Sequence, residues 1–370
     1  MKKSRKKVFK PLFLPLVGAK KGITKSLKAN YGVDKAFRFK YRATEAISFL
    51  SAFLSKLDAK RWKSKLIPKA DPPVFIIGHW RSGTTLLHNV LCRADLSFVT
   101  TYHGVFPNNL FAFKWLFKSF MKISMPGERP SDRVRIHPDY PQEEEIAIGN
   151  EMEYSYYYWF YFPRYGAELA KKFLSGNNRL KAAWMNNYRR FVSRALVNKK
   201  GRFFISKNPP NTFRIATLLE LFPEARFIYL HRNPYEVHRS CKRFFWATLQ
   251  GIQAQKIDHE AFENQILNVY QSMIETYEKD KKLIPKGQLS ELAFDHLLDD
   301  PLEALHKLNR ALNLGIQEDE WIRMKKYLSH QKFHKVETYK FTEEDVKNVN
   351  AHWPDSMNRL GYKQIKAISE

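Results

Sequence analysis

The chain has 370 residues, 44% of them apolar, and a formal net charge of +26. This length can bury a large core, and the presence of only Cys92 and Cys241 argues against a disulfide scaffold and suits a reducing, cytoplasmic compartment. No apolar run approaches the roughly 20 residues that span a bilayer. The charge indicates anionic partners: nucleic acid, an anionic membrane surface and a polyphosphate ligand all remain open.

The N-terminal part divides into a basic arm and a helical extension. Residues 1–33 carry ten Lys and Arg and no acid, so they either keep the protein in solution or contact a membrane or partner. In residues 34–71, Ile47, Leu50 and Leu54 recur at helical spacing and predict a helix. Prolines near residue 70 mark the boundary before one large domain, residues 72–370.

A short apolar strand, a glycine-bounded loop and a helix start are predicted at residues 74–87. Gly78 and Gly83 allow a turn that brings backbone N–H groups close to a ligand, and the helix points its positive end at the same place. The spacing of the two glycines is that of a Walker A loop, which binds nucleoside triphosphates. Thr84 stands where the Walker A lysine belongs, and Arg81 supplies the cation instead. An anion-binding loop is therefore predicted, and an ATPase or kinase is disfavoured.

The next stretch predicts a second strand and an amphipathic helix. Residues 98–101 are apolar and β-branched, which places His103 at the mouth of a site. In residues 109–125, Lys114, Lys118 and Lys122 follow one helical face and bulky apolar residues cover the others. Such a helix lies at a membrane interface, covers a substrate, or packs on the core with one solvated stripe.

An aromatic-rich helical insertion is predicted at about residues 105–200. Its aromatic cluster at residues 154–162 either walls an apolar acceptor pocket or packs the core. Residues 143–145 are three consecutive glutamates, of which at most one or two can face one site on a helix. The alternative for this triplet is an acidic helix start.

From residue 201 the pattern alternates strand and helix, with strands at 202–206, 227–230 and 289–294 and helices beginning at Pro234 and Pro301. This alternation predicts a mostly parallel sheet with helices on both faces. Arg232 ends one strand and Ser240 follows eight residues later on a helix, so both can contact one phosphate.

Together these stretches resemble sulfotransferases that use 3′-phosphoadenosine 5′-phosphosulfate (PAPS). The loop Arg81-Ser82-Gly83-Thr84-Thr85 is similar to their 5′-phosphosulfate loop, and Arg232 with Ser240 resembles their 3′-phosphate site. Further motifs of these enzymes are similar to Lys207 and to the segment 294–301. The segments 141–145 and 358–362 resemble motifs of a broad, mostly bacterial sulfotransferase family. The resemblance covers roughly residues 72–362. It implies a P-loop-like three-layer α/β/α sandwich.

The resemblance also implies a chemistry. Arg81 and the loop N–H groups would hold the 5′-phosphate, and Lys207 would contact the bridging or sulfuryl oxygens. No metal is expected. Relatives carry an acid where this chain has His103, so the general base is open between His103 and Glu144.

The expected function is transfer of a sulfuryl group from PAPS to a hydroxyl, leaving 3′-phosphoadenosine 5′-phosphate (PAP). The aromatic-rich middle favours a lipophilic alcohol such as a sterol or lipid; a glycan or polar natural product is the alternative. A nucleotide kinase or NTPase is a second class, and a non-enzymatic binding protein, resting on charge alone, is a third. No nucleic acid is expected, and peripheral membrane contact through the basic arm and residues 109–125 is left open.

Overall fold

A parallel sheet of four strands organises the computed structural model, which describes residues 11–62, 71–129, 131–132, 134–174, 177–197, 199–331 and 341–366. The strands are β1 (Asp71–Ile77), β2 (Phe203–Lys207), β3 (Arg226–His231) and β4 (Leu289–Ala293), in the order β2-β1-β3-β4. All three neighbouring pairs are parallel. The first ten residues of the predicted basic arm and residues 63–70 of the predicted boundary lie outside the described residues.

Helices connect the strands and extend the chain on both sides of them. They are α1 (Ile23–Tyr31), α2 (Arg38–Trp62), α3 (Thr84–Leu91), α4 (Thr101–Val105), α5 (Lys114–Ser124), α6 (Glu145–Glu151), α7 (Tyr158–Tyr161), α8 (Gly166–Leu174), α9 (Asn178–Leu196), α10 (Ile215–Leu221), α11 (Pro234–Ile252), α12 (His259–Asp280), α13 (Phe294–Asp299), α14 (Pro301–Leu312), α15 (Glu318–His330), α16 (Glu343–His352) and α17 (Pro354–Arg359).

The side chains of β1 point alternately to the two faces of the sheet and take part in two separate cores. Val74 and Ile76 pack on one face of the sheet, with α3, α14 and α15. Phe75 and Ile77 pack on the other face, with α9 to α12 and the aromatic middle of the chain. Successive side chains of a strand point to opposite faces, and both faces here are covered. The predicted α/β/α sandwich with a mostly parallel sheet is confirmed.

The predicted second strand at residues 98–101 is wrong. Ser97 and Thr100 each make one isolated bridge, to Phe204 and Pro141, and no continuous ladder forms there. The Thr100 side chain instead accepts a hydrogen bond from the backbone of His103 and caps α4. A threonine at the N-terminus of a helix satisfies an otherwise unpaired N–H group, and that local bond outweighs the β propensity of the stretch.

The described part of the basic arm and the helical extension both pack onto the aromatic core. Leu16, Val17 and Tyr41 are buried in that core, and the Tyr41 hydroxyl donates to the carbonyl of Thr24 at 2.7 Å. The division of the chain into an arm, an extension and one large domain stays a prediction.

Candidate active site

Three neighbouring strands end at the same edge of the sheet. Lys207 is the last residue of β2 and pairs in register with Ile76 of β1. Gly78 follows β1 directly, and Arg232 follows β3. Ligands bind outside the carboxyl ends of strands in open parallel sheets, so the topology brings the loop and both cations to one edge.

The loop between β1 and α3 has the backbone of an anion cradle. Gly78, Arg81 and Gly83 have positive φ values of 128°, 71° and 89°. At Gly78 a Cβ atom would lie 2.2 Å from the carbonyl oxygen of Leu230, so only glycine fits. Arg81 accepts a left-handed conformation that non-glycine residues rarely adopt, a feature that clusters at functional sites.

The end of this loop is the start of a helix. Thr84 opens α3, and Gly83 is its N-cap. The first N–H groups of a helix have no carbonyl in a preceding turn, and they lie at its positive end. These donors fit an anionic group such as a phosphate.

Arg81 already contacts a carboxylate. Its Nη1 donates to Asp132 Oδ2 at 2.6 Å, and its Nε donates to the Ser240 hydroxyl at 2.9 Å. Arg129 donates to both oxygens of the same Asp132, at 2.8 and 2.9 Å. Burial acts to raise the pKa of Asp132, but the Arg129 and Arg81 guanidiniums outweigh it and hold that pKa below its usual value. The Asp132 carboxylate therefore lies between two arginine side chains, which shows that this position suits a negatively charged group.

Arg232 lies beside the loop, as its sequence position predicted. Its Nε donates to Glu236 at 2.5 Å, and its guanidinium carbon lies 4.7 Å from the centroid of the Phe294 ring. The same Phe294 ring packs against Gly83. The structure thus brings Arg232 and the loop together, and Ser240 contacts Arg81 of that loop.

The three consecutive glutamates point to three different partners. Glu143 contacts the Lys207 ammonium group, and its other oxygen, Oε2, is buried without a hydrogen-bond partner among the described residues. Glu144 accepts from the Ser206 hydroxyl at 2.7 Å. Burial raises the pKa of Glu144 to about 8.

Glu145 completes the triplet and is fully buried. It pairs with Arg214 at 2.7 and 3.0 Å and accepts from Asn208 at 3.1 Å. Burial acts to raise its pKa, but Arg214 lowers it below the usual value. Glu145 therefore fastens the start of α6 to the turn after β2.

His103 takes a structural position. It is buried, and its ring Nδ1 lies 3.4 Å from the backbone nitrogen of Thr100 within the capping box of α4. Burial, with help from Lys114 and Lys199, lowers the pKa of His103 to about 3. An imidazole in that environment stays neutral, and it is not among the residues that line the cavity described next.

A cavity of about 150 Å³ lies between the loop and the glutamates. Its polar side is formed by Arg81, Thr84, Thr85, Arg129, Gln142, Glu143 and Thr248. Its apolar side is formed by Pro15, Trp80, Ile146, Tyr157, Phe160, Tyr161, Phe244 and Ile252. The aromatic cluster at residues 154–162 therefore does both things considered for it: some of its rings line this cavity, and Tyr158, Trp159 and Phe162 pack in the core.

The same fold and motifs are found in known proteins. The chain matches the sequence model of the Sulfotransferase family over residues 72–318, which is more than half of its length. The chain belongs to the sulfotransferase family. Transfer of a sulfuryl group is therefore its class of reaction, and the resemblance noted in the sequence is confirmed.

Relatives of this sulfotransferase include an omega-hydroxy-beta-dihydromenaquinone-9 sulfotransferase, Stf3, from Mycobacterium bovis and Mycobacterium tuberculosis. Each is 29% identical over 297 residues, covering 79% of this chain and 76% of the relative. Among solved structures, sulfotransferase STF9 of Mycobacterium avium aligns with a TM-score of 0.72 at 13% identity, over 94% of this chain and 97% of the other. STF1 of Mycobacterium tuberculosis aligns with 0.64 at 16% identity, over 83% and 85%. Both structures share the P-loop-like fold.

Three residues of this site were missed from the sequence. Arg129 and Asp132 lie in a turn between α5 and α6 that has no periodicity to mark it. Glu143 was overlooked because the triplet was treated as one helix, whereas α6 begins only at Glu145. The signal that could have identified Glu143 is its place before the helix, next to proline and glutamine.

The described residues include no group of three or more His, Cys, Asp or Glu side chains that could hold a metal ion. Nor is any helix of the described ranges both long and apolar enough to cross a bilayer.

The environment of Glu144 predicts a pH dependence of stability. Its folded pKa, about 8, lies above the ordinary 4.5, so unfolding releases a proton between these values and stability falls as the pH rises through that window. Glu144→Gln keeps a partner for Ser206 and cannot ionise, so we expect it to lose this part of the slope. Urea unfolding of both proteins at about pH 5 and pH 8.5 measures it. Equal slopes in the two proteins would contradict the assignment.

Proposed function

We propose that this sulfotransferase transfers the sulfuryl group of PAPS to the hydroxyl of a lipophilic alcohol. One observation supports this more than any other. Glu143, whose buried Oε2 has no hydrogen-bond partner within the described ranges, lines the same cavity as the anion loop, and the remaining wall is mostly aromatic and aliphatic. Such a cavity provides a proton acceptor, an anion site and an apolar surface within one space.

The donor would bind along the loop and the end of β3. We assign the 5′-phosphosulfate to Arg81, Ser82, Gly83, Thr84 and Thr85, through the guanidinium, the hydroxyls and the N–H groups at the start of α3. The 3′-phosphate is assigned to Arg232 and Ser240, because both already contact Arg81 of the loop. Arg232 donates to the Arg81 carbonyl, and the Ser240 hydroxyl accepts from the Arg81 side chain. No metal is part of this proposal.

Glu143 is proposed as the general base, in place of His103 or Glu144. The acceptor oxygen forms a bond to sulfur as the bond from sulfur to the 5′-phosphate oxygen breaks, so PAP leaves with the electron pair. Glu143 takes the hydroxyl proton, and Lys207, which contacts Glu143, neutralises charge on the sulfuryl oxygens. Glu144 is bound to Ser206 and His103 to the cap of α4, so neither lines the cavity.

The acceptor is proposed to be a lipid or sterol alcohol. Eight of the cavity-lining residues have apolar or aromatic side chains, and such a wall gains free energy by removing hydrocarbon from water. The relative Stf3 is named for a hydroxylated menaquinone, which is itself a lipid alcohol. A glycan or polar natural product would leave many hydroxyls facing this wall unpaired. A kinase or NTPase is disfavoured because Thr84 replaces the lysine of its loop.

Peripheral membrane contact through the basic arm and residues 109–125 is also proposed. α5, within that stretch, buries only Phe117 and Met121 fully, and it exposes Lys114 and Lys122. A cytoplasmic location stays a prediction that rests on the two unpaired cysteines.

The donor assignment predicts selective binding of a 3′,5′-bisphosphate. We expect 3′,5′-ADP to raise the melting temperature more than 5′-AMP does, and ATP with magnesium to have little effect. Arg232→Ala should weaken the binding of 3′,5′-ADP by roughly 10- to 150-fold, because a hydrogen bond to a charged group contributes about 1.5–3 kcal/mol. Arg310→Ala, an exposed arginine on α14, is the control. Preference for ATP, or equal affinity in Arg232→Ala, would refute the assignment.

The base assignment predicts different results for two adjacent glutamates. Glu143→Gln should lower turnover by roughly 10²- to 10⁴-fold with unchanged affinity for 3′,5′-ADP, because a general base contributes about that much. Glu144→Gln, the identical change one residue later, should keep most of the turnover, as should His103→Ala. Steady-state kinetics at saturating PAPS gives these values. Full activity of Glu143→Gln would return the role to one of the other two.

The acceptor assignment predicts that activity rises with chain length. For straight-chain primary alcohols, kcat/KM should increase about three- to fourfold per methylene until the cavity is full, since each buried CH₂ contributes about 0.8 kcal/mol. Ile252→Thr, in the apolar wall, should reduce this increase, and the exposed Ile322→Thr should not. A flat series, or better turnover of a sugar acceptor, would favour the polar alternative.

A further inference from the structure

The exposed face of α2 carries large apolar side chains. Phe49, Phe53 and Leu57 are 69%, 60% and 44% exposed. Their spacing of four residues places them on one side of the helix, and the exposed Lys56 and Lys60 lie on that side too. Exposed aromatic residues in a row on one helix are unusual for a soluble surface and mark an interaction site.

The exposed face of α5 has the same character. Trp115 and Ile123 are 72% and 87% exposed, and Lys114, Lys118 and Lys122 run beside them. The opposite side of the helix is buried through Phe117 and Met121. Bulky apolar residues flanked by lysines are typical of a helix that lies in a membrane interface.

Hydrogen bonds join α2 to the segment that leads into α5. The carboxylate of Asp58, on α2, accepts from the backbone N–H groups of Phe111 and Ala112 at 2.6 Å each, and Arg194 pairs with its other oxygen. Between the helices lies an open groove of about 750 Å³, lined by Leu57, Lys60, Phe111, Ala112, Phe113, Lys114, Trp115 and Lys118. The two faces therefore form one continuous surface, here called the α2–α5 surface: Phe49, Phe53, Lys56, Leu57, Lys60, Lys114, Trp115, Lys118, Lys122 and Ile123.

We infer that the α2–α5 surface docks on an anionic phospholipid bilayer, with α2 as half of the contact. Aromatic and aliphatic tips suit the boundary between headgroups and acyl chains, where Trp is enriched. The lysines suit the negative surface potential of anionic lipids, and those in the groove suit a phosphate headgroup. One of these lysines, Lys118, already pairs with an anionic group, since its ammonium lies 2.6 Å from the carboxylate of Asp139.

The docking face lies close to the proposed acceptor cavity. Phe120 of α5 packs against Phe13 with ring centroids 5.3 Å apart. Phe13 is two residues before Pro15, which lines the cavity. A lipid alcohol drawn from the bilayer would therefore have a short path to Glu143. This last step rests on the proposed function, whereas docking of the α2–α5 surface extends the membrane contact proposed for residues 109–125 and needs neither the donor nor the acceptor.

Vesicle co-sedimentation of the full chain tests the docking surface. We expect wild-type protein to sediment with vesicles of phosphatidylcholine containing about 30% phosphatidylserine, and far less with phosphatidylcholine alone. A variant combining Phe49→Ser, Phe53→Ser and Trp115→Ser should lose at least tenfold in partitioning. Ile322→Ser, an equally exposed apolar residue on α15, is the matched control. Replacing Lys60 and Lys118 by Gln should cost about fivefold each at low salt.

Two results would overturn the inference: wild type that stays in solution with anionic vesicles, or a triple variant that sediments as well as the control. Self-association of wild type without lipid, lost in the triple variant, would instead identify a second copy as the occupant. Every side chain substituted in the triple variant is exposed, so its thermal melt and its shift with 3′,5′-ADP should match wild type. Failure of that shift concerns the proposed function alone.

Discussion

The three consecutive glutamates fix the geometry on which the site depends. Each reaches a partner on β2 or on the turn just after it: Glu143 contacts Lys207, Glu144 contacts Ser206, and Glu145 contacts Arg214. Buried carboxylates are costly unless they are paired or neutral, so these contacts permit few alternative arrangements. Through them the aromatic middle of the chain is fastened to the carboxyl end of the sheet, and the cavity forms where the two meet.

Most of the sheet could be predicted from the sequence because its strands are short apolar runs bounded by Gly or Pro. β1, β3 and β4 and the helices that begin at Pro234 and Pro301 were found this way. The stretch at residues 98–101 has the same composition, yet it is not a strand. There the Thr100 cap satisfies the backbone locally, and pairing with β2 stops at the single bridge of Ser97. Composition indicates what a segment can do, and long-range pairing decides among the options.

The backbone geometry of the loop could be predicted because it depends on local residues. The loop with Gly78 and Gly83 needs positive φ values, which leave a visible mark in the sequence. The roles of Glu143, Arg129 and Asp132 depend on contacts between residues far apart in the chain, such as Glu143 with Lys207, and no periodicity records them. The expectation about residues 109–125 was open for the same reason, since a sequence shows which side chains share a face but not which face is covered.

The pairing of Arg81 with Asp132 has a consequence for donor binding. Arg81 and Arg129 both lie against the Phe244 ring, at 4.8 and 5.3 Å from its centroid, so two positive charges are held side by side. Asp132 between them relieves the repulsion. If the proposed phosphosulfate binds Arg81, one anion must replace another at this position, and the turn that carries Asp132 must move or share its arginines. Because one anion replaces another, the free energy of donor binding depends on the difference between the two interactions rather than on the full attraction of either.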